Sequence, residues 1–470
     1  MNFTIQNVLI LDGPGYQTVD VQVAVSDEGA SSIVAIAPNL EPMGRLIDGR
    51  HKLLLPGFVN AHTHSSEMWQ RGIIPPYPLE LWIAELYEFT PLKPHQIYLS
   101  ALGTAVETLL SGGTTVVDHL VIIPGLEKES VKAAIQGYRE AGIRAFVGPL
   151  IQDEALGASL PTGGTSVDLA PHYHGTPELL QLMEELVQDY HRPEEGIHIM
   201  TAPTGPQLCS DALFEGCADL SDRYQLCRHT HLLETRAQNM LAHEKYGCSV
   251  VKHLQDVGFL GDRTSLAHCV WLEDEDIQHL VDTRSTVVHN PLSNLRLGSG
   301  IAPVLKYRQA GVNVTFGCDG SASNDSQDLL EAIKIGTILH NPTDLDYRHW
   351  ITPREAIAMA SLGGATGLAL QDQIGSLEVG KQADFVLYDL TSLSLLPRTD
   401  PAGLLILGRP TQAVDSVWVN GRQVVADGQP TQVNVKTLRQ DLFDHSEWAT
   451  NRTSTMASEF EIRYRAVMGL

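Results

Sequence analysis

The sequence predicts an α/β fold, because short apolar or β-branched runs alternate with amphipathic stretches of helical period from Leu53 to about residue 340. Eight such runs can be counted, and eight parallel strands separated by helices are typical of a TIM barrel. We therefore predict a (β/α)8 TIM barrel over residues 56–374. The runs are LLLPGFVNAHTH (53–64), TTVVDHL (114–120), IRAFVGPLI (143–151), GIHIMTAPTG (196–205), YQLCRHTHLLE (224–234), TSLAHCVWL (264–272), STVVHNP (285–291) and VNVTFGCDG (312–320).

The helical stretches are identified by the spacing of their apolar residues. Between residues 178 and 187, leucines and a methionine recur at i, i+3, i+4 and i+7 from Leu179, while glutamates occupy the other face. Two long segments, 65–94 and 152–177, interrupt the repeat directly after strand ends, where barrel enzymes build sites and lids. His172 and His174 are predicted to be solvated loop residues, because no carboxylate follows them at the spacing of a metal ligand.

Both ends of the chain alternate apolar and polar residues in the manner of strands. Residues 1–52 contain VDVQVAV and SSIVAIAP, and residues 383–428 contain ADFVLYDL and VDSVWVNGRQVVADG. We predict that the two ends form one small β-sandwich domain from residues 1–55 and 375–430. Residues 353–370 are predicted to form a helix with proline in its first turn, and residues 431–470 a C-terminal helical tail.

The composition excludes several classes of protein. The chain has 470 residues, and its formal net charge of −24 argues against partners such as nucleic acid or an anionic membrane. Its 43% hydrophobic and 19% charged residues are typical of a globular protein. The six cysteines form no Cys-x-x-Cys pair, and no targeting segment or long apolar run is found, so we expect reduced thiols and a cytoplasmic location. Since dimers are the commonest assembly, we expect a homodimer or a higher homo-oligomer.

Candidate metal ligands lie at the carboxyl ends of the predicted strands. His62 and His64 end the first strand, and their period-two spacing points both imidazoles to the same side. Such a pair alone is as often two satisfied structural histidines. Further candidates at other strand ends, His231, His268 and Asp319, favour a shared ion. Three imidazoles and one aspartate from the first, fifth and eighth strands would suit zinc or ferrous iron.

The fifth strand offers two histidines, His229 and His231, that face the same way, so spacing alone leaves this ligand ambiguous. We choose His231 because it lies closer to the strand end and because Glu234 follows it by three residues. A carboxylate beside the ion can take a proton from the attacking water and return it to a leaving nitrogen. A bound divalent ion lowers the pKa of water to about 7, which makes hydroxide available at neutral pH.

These residues lie in motifs that resemble the amidohydrolase superfamily, and the resemblance covers nearly the whole chain. The motifs are similar to those of the branch that contains mononuclear-metal deaminases, such as 8-oxoguanine and methylthioadenosine/S-adenosylhomocysteine deaminases, and triazine hydrolases. The matching stretches are PGFVNAHTH (56–64) followed by Arg71-Gly72, HTHLLET (229–235), AHC (267–269), HNPLSNLRLGSG (289–300), CDGSASND (318–325) and IGSLEVGKQADFVLYD (374–389).

The resemblance implies a role for each candidate and a β domain split around the barrel. The implied metal ligands are His62, His64, His231 and Asp319, with Glu234 as the proton shuttle and His268 as the partner of the attacking water or leaving group. A rival branch bridges two metals with a carboxylated lysine on the third or fourth strand. No lysine occurs between Lys132 and Lys245, an interval that contains both strands, so we expect one divalent ion, zinc or alternatively iron.

The expected reaction is hydrolytic deamination, in which hydroxide generated at the metal replaces an exocyclic amino group of a small-molecule heterocycle that is nucleobase-like or triazine-like. The alternatives are a methylthioadenosine/S-adenosylhomocysteine deaminase and a triazine hydrolase that removes chloride or alkylamine. A barrel that has lost catalysis and serves in binding or assembly is a hypothesis of another class. No predicted ligand is missing, which argues against it.

Substrate contacts are predicted from the loops. Methylthioadenosine deaminases carry a histidine where this chain has Thr204, and their first-loop acidic residue aligns with Pro91, near Glu88, which argues against nucleoside recognition. Gln207 could pair with an amide edge of the ring and Trp82 could stack on its face, although loop bracing and core packing explain these residues at least as well. The other predicted cavity or substrate contacts are Glu67, His119, His289, Ser293 and Asn294.

Overall fold

The computed structural model describes residues 1–26, 29–89, 91–161, 174–446 and 454–470. Its strands are β1 (Phe3–Asp12), β2 (Gly15–Val25), β3 (Ser31–Ala37), β4 (Arg45–Asp48), β5 (Lys52–Pro56), β6 (Phe58–Thr63), β7 (Gly113–Leu120), β8 (Arg144–Pro149), β9 (Ile197–Ile199), β10 (Arg228–Leu232), β11 (Thr264–His268), β12 (Thr286–His289), β13 (Val314–Phe316), β14 (Phe385–Asp389), β15 (Val414–Val419), β16 (Arg422–Ala426) and β17 (Gln429–Pro430).

Helices lie between most of the central strands and at the carboxyl end of the chain. They are α1 (Leu79–Tyr87), α2 (Pro94–Leu110), α3 (Glu127–Ala141), α4 (Thr176–Tyr190), α5 (Asp211–Tyr224), α6 (Arg236–Tyr246), α7 (Val250–Asp256), α8 (Asp274–Thr283), α9 (Pro291–Arg296), α10 (Val304–Ala310), α11 (Leu329–Ile338), α12 (Pro353–Ala358), α13 (Gly364–Gly367), α14 (Pro401–Gly408), α15 (Val435–His445) and α16 (Thr455–Met468). Short 3₁₀ segments include Ser65–Gln70 and Leu156–Ser159.

Two parallel sheets of four strands form the centre of the fold. Strands β6 to β9 pair in chain order in one sheet, and strands β10 to β13 pair in chain order in the other. Backbone hydrogen bonds cross between the sheets at both borders: His229 N donates to Thr201 O over 2.9 Å, and Asp319 N donates to His62 O over 2.9 Å. Each predicted run contains one of these parallel strands, so the predicted alternation of strands and helices is confirmed.

The first predicted run is divided between two sheets at Gly57. Strand β5 before it joins the sheet formed by the chain ends, and strand β6 after it begins the first parallel sheet. A Cβ atom at Gly57 would overlap the side chain of Thr114 in β7. Only glycine therefore lets the backbone pass this close to β7 where the chain changes sheets.

Both ends of the chain meet in one nine-stranded sheet. Its order is β17-β16-β15-β14-β5-β1-β2-β3, with β4 paired to β1. Strand β14 runs antiparallel to β5, which places carboxyl-terminal strands beside amino-terminal ones. A buried ion pair between Arg144, the first residue of β8, and Asp384 joins this sheet to the parallel strands. The β-sandwich and the domain boundaries stay predictions.

The remaining predicted segments are described in part. Helices α15 and α16 lie within the predicted tail, and Pro353 begins α12, where the Thr352 side chain caps the helix. Within the segment 152–177, residues 162–173 and with them His172 lie outside the described residues. His174 Nε2 lies 3.0 Å from Glu127 Oε1. Across the described ranges, no helix is both long enough and apolar enough to span a membrane.

Candidate metal centre and active site

The carboxyl ends of the parallel strands converge on a cluster of buried imidazoles and one carboxylate. His62 Nε2 lies 3.4 Å and His64 Nε2 lies 3.6 Å from Asp319 Oδ1. His64 Nε2 also lies 3.1 Å from His231 Nε2. Donor atoms of His62, His64 and Asp319 all lie within 4.8 Å of one another, as do those of His62, His119 and His231. The four predicted ligand side chains are thus brought together.

Hydrogen bonds to backbone carbonyls fix the tautomers of two rings. His64 Nδ1 donates to the carbonyl of His119 over 2.6 Å, and His231 Nδ1 donates to the carbonyl of Thr204 over 2.7 Å. A neutral imidazole that donates from Nδ1 carries a bare lone pair on Nε2. The Nε2 atoms of His64 and His231 therefore face each other as acceptors, an arrangement that a shared cation would stabilise.

A chain of hydrogen bonds orients the ring of His62. Its Nδ1 lies 2.8 Å from His229 Nε2, and His229 Nδ1 lies 2.7 Å from Ser265 Oγ, which donates to the carbonyl of Arg228 over 3.4 Å. Donation along this chain leaves the lone pair of His62 Nε2 bare, and this buried atom has no hydrogen-bond partner among the described residues. His229, which spacing could not separate from His231, therefore supports His62 from behind.

Burial keeps the rings of His62 and His231 neutral at physiological pH. It lowers the pKa of His62 to about 4 in spite of the Asp319 carboxylate, and burial together with the neighbouring histidines lowers the pKa of His231 well below its usual value. Burial alone would raise the pKa of Asp319, but the rings of His62, His268 and His64 outweigh it and hold that pKa well below its usual range. The cluster thus presents imidazole lone pairs and one carboxylate, a donor set suited to zinc or iron.

Two further polar side chains lie beside the cluster. Glu234 Oε2 lies 3.5 Å from His268 Nε2, which is 3.7 Å from Asp319 Oδ2. Ser299 Oγ donates to the other carboxylate oxygen of Glu234 over 3.0 Å. Burial raises the pKa of Glu234 to about 7, against the opposing influence of His268. A carboxyl group with a pKa in this range can exchange a proton at neutral pH.

His268 and Asp319 both have left-handed backbone conformations, with φ angles of 74° and 66°. Residues other than glycine adopt this region infrequently, although asparagine, aspartate and histidine do so more often than the rest. Helix α9 supports both side chains: His268 Nδ1 donates to Asn294 Oδ1 over 2.8 Å, and Ser293 Oγ donates to Asp319 Oδ2 over 2.5 Å. Ser293 and Asn294, which we predicted as substrate contacts, therefore hold Asp319 and His268.

A cavity of about 340 Å³ opens beside the cluster, and its lining includes three of the predicted substrate contacts: Glu67, Trp82 and Gln207. Burial raises the pKa of Glu67 to about 7. Trp82 Nε1 donates to the carbonyl of Ala322 over 3.2 Å, and its ring packs in a small apolar cluster while it lines the cavity. Trp82 thus packs in the core and lines the cavity, and its stacking on a substrate ring stays a prediction.

The described residues that line the cavity do not include His289, His119, Ser293 or Asn294, in contrast to our predictions. His289 Nε2 lies 3.2 Å from His340 Nε2. The ring of His119 stacks on that of His231 with 4.8 Å between centroids, and its Nε2 donates to the carbonyl of Ala202 over 2.9 Å. His289 is thus paired with His340, and His119 packs against the cluster.

Asp118 of β7, which had no role in our predictions, supports the cluster from the second strand. The carboxylate of Asp118 accepts hydrogen bonds from the backbone and hydroxyl of Ser65, which follows His64, and from the hydroxyl of Tyr138. Its only signal in the sequence was a polar side chain next to His119 in an otherwise apolar strand end.

The profile of the Amidohydrolase family matches residues 53–424, which is most of the chain. The chain belongs to the amidohydrolase family. The predicted resemblance is confirmed. This amidohydrolase is 30% identical over 444 residues to a 5-methylthioadenosine/S-adenosylhomocysteine deaminase of Caldanaerobacter subterraneus, with 93% of this chain and 96% of the relative covered. It is 31% identical to a 5′-deoxyadenosine deaminase of Methanothermobacter thermautotrophicus, with 82% of this chain and 84% of the relative covered.

Solved structures of the family are similar to this amidohydrolase over nearly its whole length. The atrazine chlorohydrolase of Arthrobacter aurescens complexed with zinc is 27% identical, with a TM-score of 0.83 over 94% of this chain and 99% of that one. An adenosine deaminase of Xanthomonas campestris with bound zinc is 26% identical, with a TM-score of 0.81 over 99% of this chain and 98% of that one. These likenesses show a TIM-barrel-like α/β fold.

Proposed function

We propose that this amidohydrolase is a metal-dependent deaminase that replaces an exocyclic amino group of a small nitrogen heterocycle by oxygen and releases ammonia. The observation that carries the proposal is the convergence of bare imidazole nitrogens and Asp319 next to Glu234, beside a cavity. The relatives named as 5-methylthioadenosine/S-adenosylhomocysteine and 5′-deoxyadenosine deaminases support the same class of reaction.

His62, His64, His231 and Asp319 would hold one divalent ion, for which we propose zinc, with iron as the alternative. The buried and unpartnered Nε2 of His62, the facing lone pairs of His64 and His231, and the zinc in two structural neighbours support this assignment. The sequence has no lysine between Lys132 and Lys245 to bridge a second ion. When bound, the ion supplies Lewis acidity that makes water nucleophilic near neutral pH.

Glu234 and His268 would carry out the proton transfers and hold the reacting oxygen. Glu234 would take a proton from the attacking water and pass it to the departing nitrogen, since its pKa of about 7 allows both steps. His268 Nδ1 is engaged by Asn294, so its Nε2 faces the reacting atoms beside Asp319. Water adds to the ring carbon, the bond from that carbon to the exocyclic nitrogen breaks, and the products are ammonia and a ring carbonyl.

The lining of the cavity favours a substrate with a planar ring that carries an apolar substituent. Away from the cluster its lining is mainly apolar and includes Leu79, Leu86, Ile122, Ile123, Ile151 and Leu156. Trp82 would stack on the ring, and Gln207 would pair with an amide edge. Glu67 would form one hydrogen bond with the ring, as the acceptor when it is ionised and as the donor when it is protonated. Its pKa of about 7 makes both protonation states accessible.

A second candidate is deamination of an adenosine derivative, which the names of the relatives favour. Two features of the chain argue against a nucleoside. Thr204, at the position where we expect a histidine in those enzymes, donates to the carbonyl of Ile151 over 3.0 Å. Glu88, the nearest acidic side chain to the position of the expected first-loop acid, accepts from Met456 N over 2.8 Å and does not line the cavity as described. Removal of chloride or alkylamine from a triazine is the third candidate, favoured by the similarity to the atrazine chlorohydrolase.

We also propose that the two parallel sheets close into one eight-stranded barrel over residues 56–374, because hydrogen bonds join the sheets at both borders. Residues 1–55 and 375–430 would form the β-sandwich beside it, since strands from both ends share one sheet. A homo-oligomer and a cytoplasmic location complete the proposal.

A screen of aminopurines, aminopyrimidines, pterins, triazines and adenosine derivatives tests the proposed function. Ammonia release from at least one compound is expected, and removal of the metal by a chelator should abolish it until zinc is restored. The mass of the product separates the candidates, because exchange of NH₂ for OH differs from loss of chloride or alkylamine. Release of ammonia at an unchanged rate after metal removal would contradict the proposal.

A further inference from the structure

Helix α1 (Leu79–Tyr87) is buried on two opposite faces. One face contributes Leu79, Trp82, Ile83 and Leu86 to the cavity lining, at the i, i+3, i+4 and i+7 spacing of a helix stripe. The other face contributes Leu81 and Ala84 to a second apolar cluster that contains Ala457 and Phe460 of α16. The cavity wall formed by α1 therefore packs on its outer side against the C-terminal helix.

A second part of the cavity wall packs against the same helix. Ala155 and Leu156, at the start of the 3₁₀ segment Leu156–Ser159, line the cavity. Leu156 and Leu160 also belong to the apolar cluster of Ala457 and Phe460. Helix α16 is thus in contact with both walls of the cavity.

The side chain of Arg463 in α16 binds backbone carbonyl groups of this second wall. Its guanidinium group donates from Nε to the carbonyl of Pro161 and from Nη1 to the carbonyl of Gly157, each over 2.8 Å, and from Nη2 to the carbonyl of Leu160. The residue is only 6% exposed. A buried charge is unfavourable unless it is hydrogen-bonded, so the carbonyls and the guanidinium fix each other's positions.

The beginning of α16 is attached to the end of α1. The carboxylate of Glu88, which follows α1 directly, accepts hydrogen bonds from Met456 N over 2.8 Å and from Thr455 Oγ1 over 2.9 Å. A negative charge at the amino end of a helix is stabilised by the free N–H groups and the helix dipole. Helix α16 is therefore tied to both walls, at its beginning through Glu88 and further along the helix through Arg463.

We propose that α16 is a brace that sets the width of the substrate cavity, and that Arg463 is a positioning residue for substrate specificity. The inference rests on the proposed function only in treating this cavity as the substrate site. Arg463 does not touch the cluster of histidines, so it acts on the fit of the substituent and leaves the chemical step unchanged.

Steady-state kinetics of Arg463→Gln, compared with Arg465→Gln, tests the proposal in the zinc-loaded full chain. Arg465 lies on the same helix, but its side chain is 55% exposed and lies 3.9 Å from Glu461, so it is the matched control. For the largest compound accepted in the screen, we expect KM to rise about tenfold in Arg463→Gln with kcat within about twofold, because displaced walls weaken substrate positioning. For the free amino-heterocycle, which reaches the α1 wall only through Trp82, KM should rise by a smaller factor. Arg463→Lys, which keeps the charge but donates fewer bonds, should fall in between.

Amide hydrogen exchange provides a readout that needs no activity. Exchange at residues 155–161 and in α1 should be faster in Arg463→Gln than in the native chain or in Arg465→Gln, with equal zinc content. If no compound is deaminated, the proposed function is wrong. The exchange result alone then tests whether α16 is a brace for the cavity walls. Equal exchange in all three proteins, or equal KM for the largest compound, would overturn the brace. If Arg463→Gln does not fold, the same comparisons are made with Arg463→Lys.

Discussion

Single residues organise the candidate site by the direction in which each imidazole donates its proton. His64 and His231 donate from Nδ1 to carbonyl oxygens, and His62 donates to His229, so each ring keeps a bare Nε2. Such supporting partners commonly set the orientation and basicity of a metal ligand. His229 is therefore as much part of the proposed centre as the rings whose lone pairs converge.

Replacing His229 by phenylalanine should weaken the proposed metal site without removing a ligand. The substitution leaves Nδ1 of His62 without an acceptor, so we expect zinc affinity to fall roughly 10- to 100-fold, with activity restored by excess zinc. Competition with a chelator of known affinity measures the change. His62→Gln is the control, because loss of a proposed ligand should not be restored in this way. An unchanged zinc Kd in His229→Phe would show that the relay is not needed.

Replacing Glu234 by glutamine should slow the chemical step and leave the metal in place. Glutamine keeps the size of the side chain and can accept from Ser299, but it cannot carry a proton between water and the departing nitrogen. We expect kcat to fall by roughly 10²- to 10⁴-fold at unchanged zinc content. Ser299→Ala should have a much smaller effect, because it removes one hydrogen bond and keeps the carboxylate. Equal activity of Glu234→Gln and the native chain would exclude the proposed proton transfer.

Residue spacing predicted which side chains come together, because period-two alternation and the position at a strand end determine direction. It did not predict how deeply each side chain is buried. His229 and His231 point to the same side, yet only the structure shows that His229 lies one layer deeper, against His62. Ser293 and Asn294 were placed in the cavity because they follow a strand end, but α9 turns them towards Asp319 and His268. The direction of a side chain on such a short helix depends on packing that no local pattern records.

At the scale of strands, β9 contains a histidine whose burial makes the stability of the fold depend on pH. The ring of His198 stacks on Phe146 of β8 at 4.1 Å between centroids and 6° between planes. Burial, with smaller contributions from Arg144 and His191, lowers the pKa of His198 to about 3. The folded strand therefore accepts this ring only in its neutral form.

Replacing His198 by phenylalanine should make the protein less sensitive to acid. Between pH 6.5 and about 3 the unfolded chain binds a proton at His198 and the folded chain does not. The contribution of the neutral ring to the free energy of unfolding is therefore complete above pH 6.5 and is lost as the pH falls. From pH 7 to pH 5 the native chain should lose about 2 kcal/mol more free energy of unfolding than His198→Phe. Urea unfolding of metal-free protein measures the difference without a contribution from metal release. Parallel pH profiles would contradict the stated cause.

The elements themselves were largely predictable, and the exceptions have physical reasons. Apolar runs bounded by amphipathic stretches identified the eight described strands of the two parallel sheets, since strands buried on both faces leave a strong pattern. The run 53–64 was counted as one strand although it holds two, because β5 and β6 are equally apolar and the change of sheet at Gly57 depends on close approach to Thr114. The contact of α16 with both cavity walls was missed as well, because periodicity identifies a helix but not its neighbours.

For the whole molecule, the cluster lies where the two parallel sheets meet. His62 belongs to the first sheet with His64 next to it, whereas His231 belongs to the second sheet and Asp319 follows the last strand of that sheet. A single ion held by these residues would connect both sheets at their carboxyl ends. Without an ion, the facing lone pairs of His64 and His231 repel each other across the same border.

Zinc should therefore raise the thermal stability of the protein, and the effect should depend on residues from both sheets. A ligand that binds only the folded state at a hundredfold excess over its Kd adds about 2.7 kcal/mol of stability. We expect a rise in Tm of several degrees when zinc is added to metal-free protein, and none with magnesium, which prefers oxygen ligands. The rise should be lost in His64→Asn from the first sheet and in His231→Asn from the second, whereas His289→Asn, outside the cluster, should keep it. Calorimetry on the four proteins measures these shifts. If the Tm of the native chain does not change when zinc is added, the ion does not join the sheets.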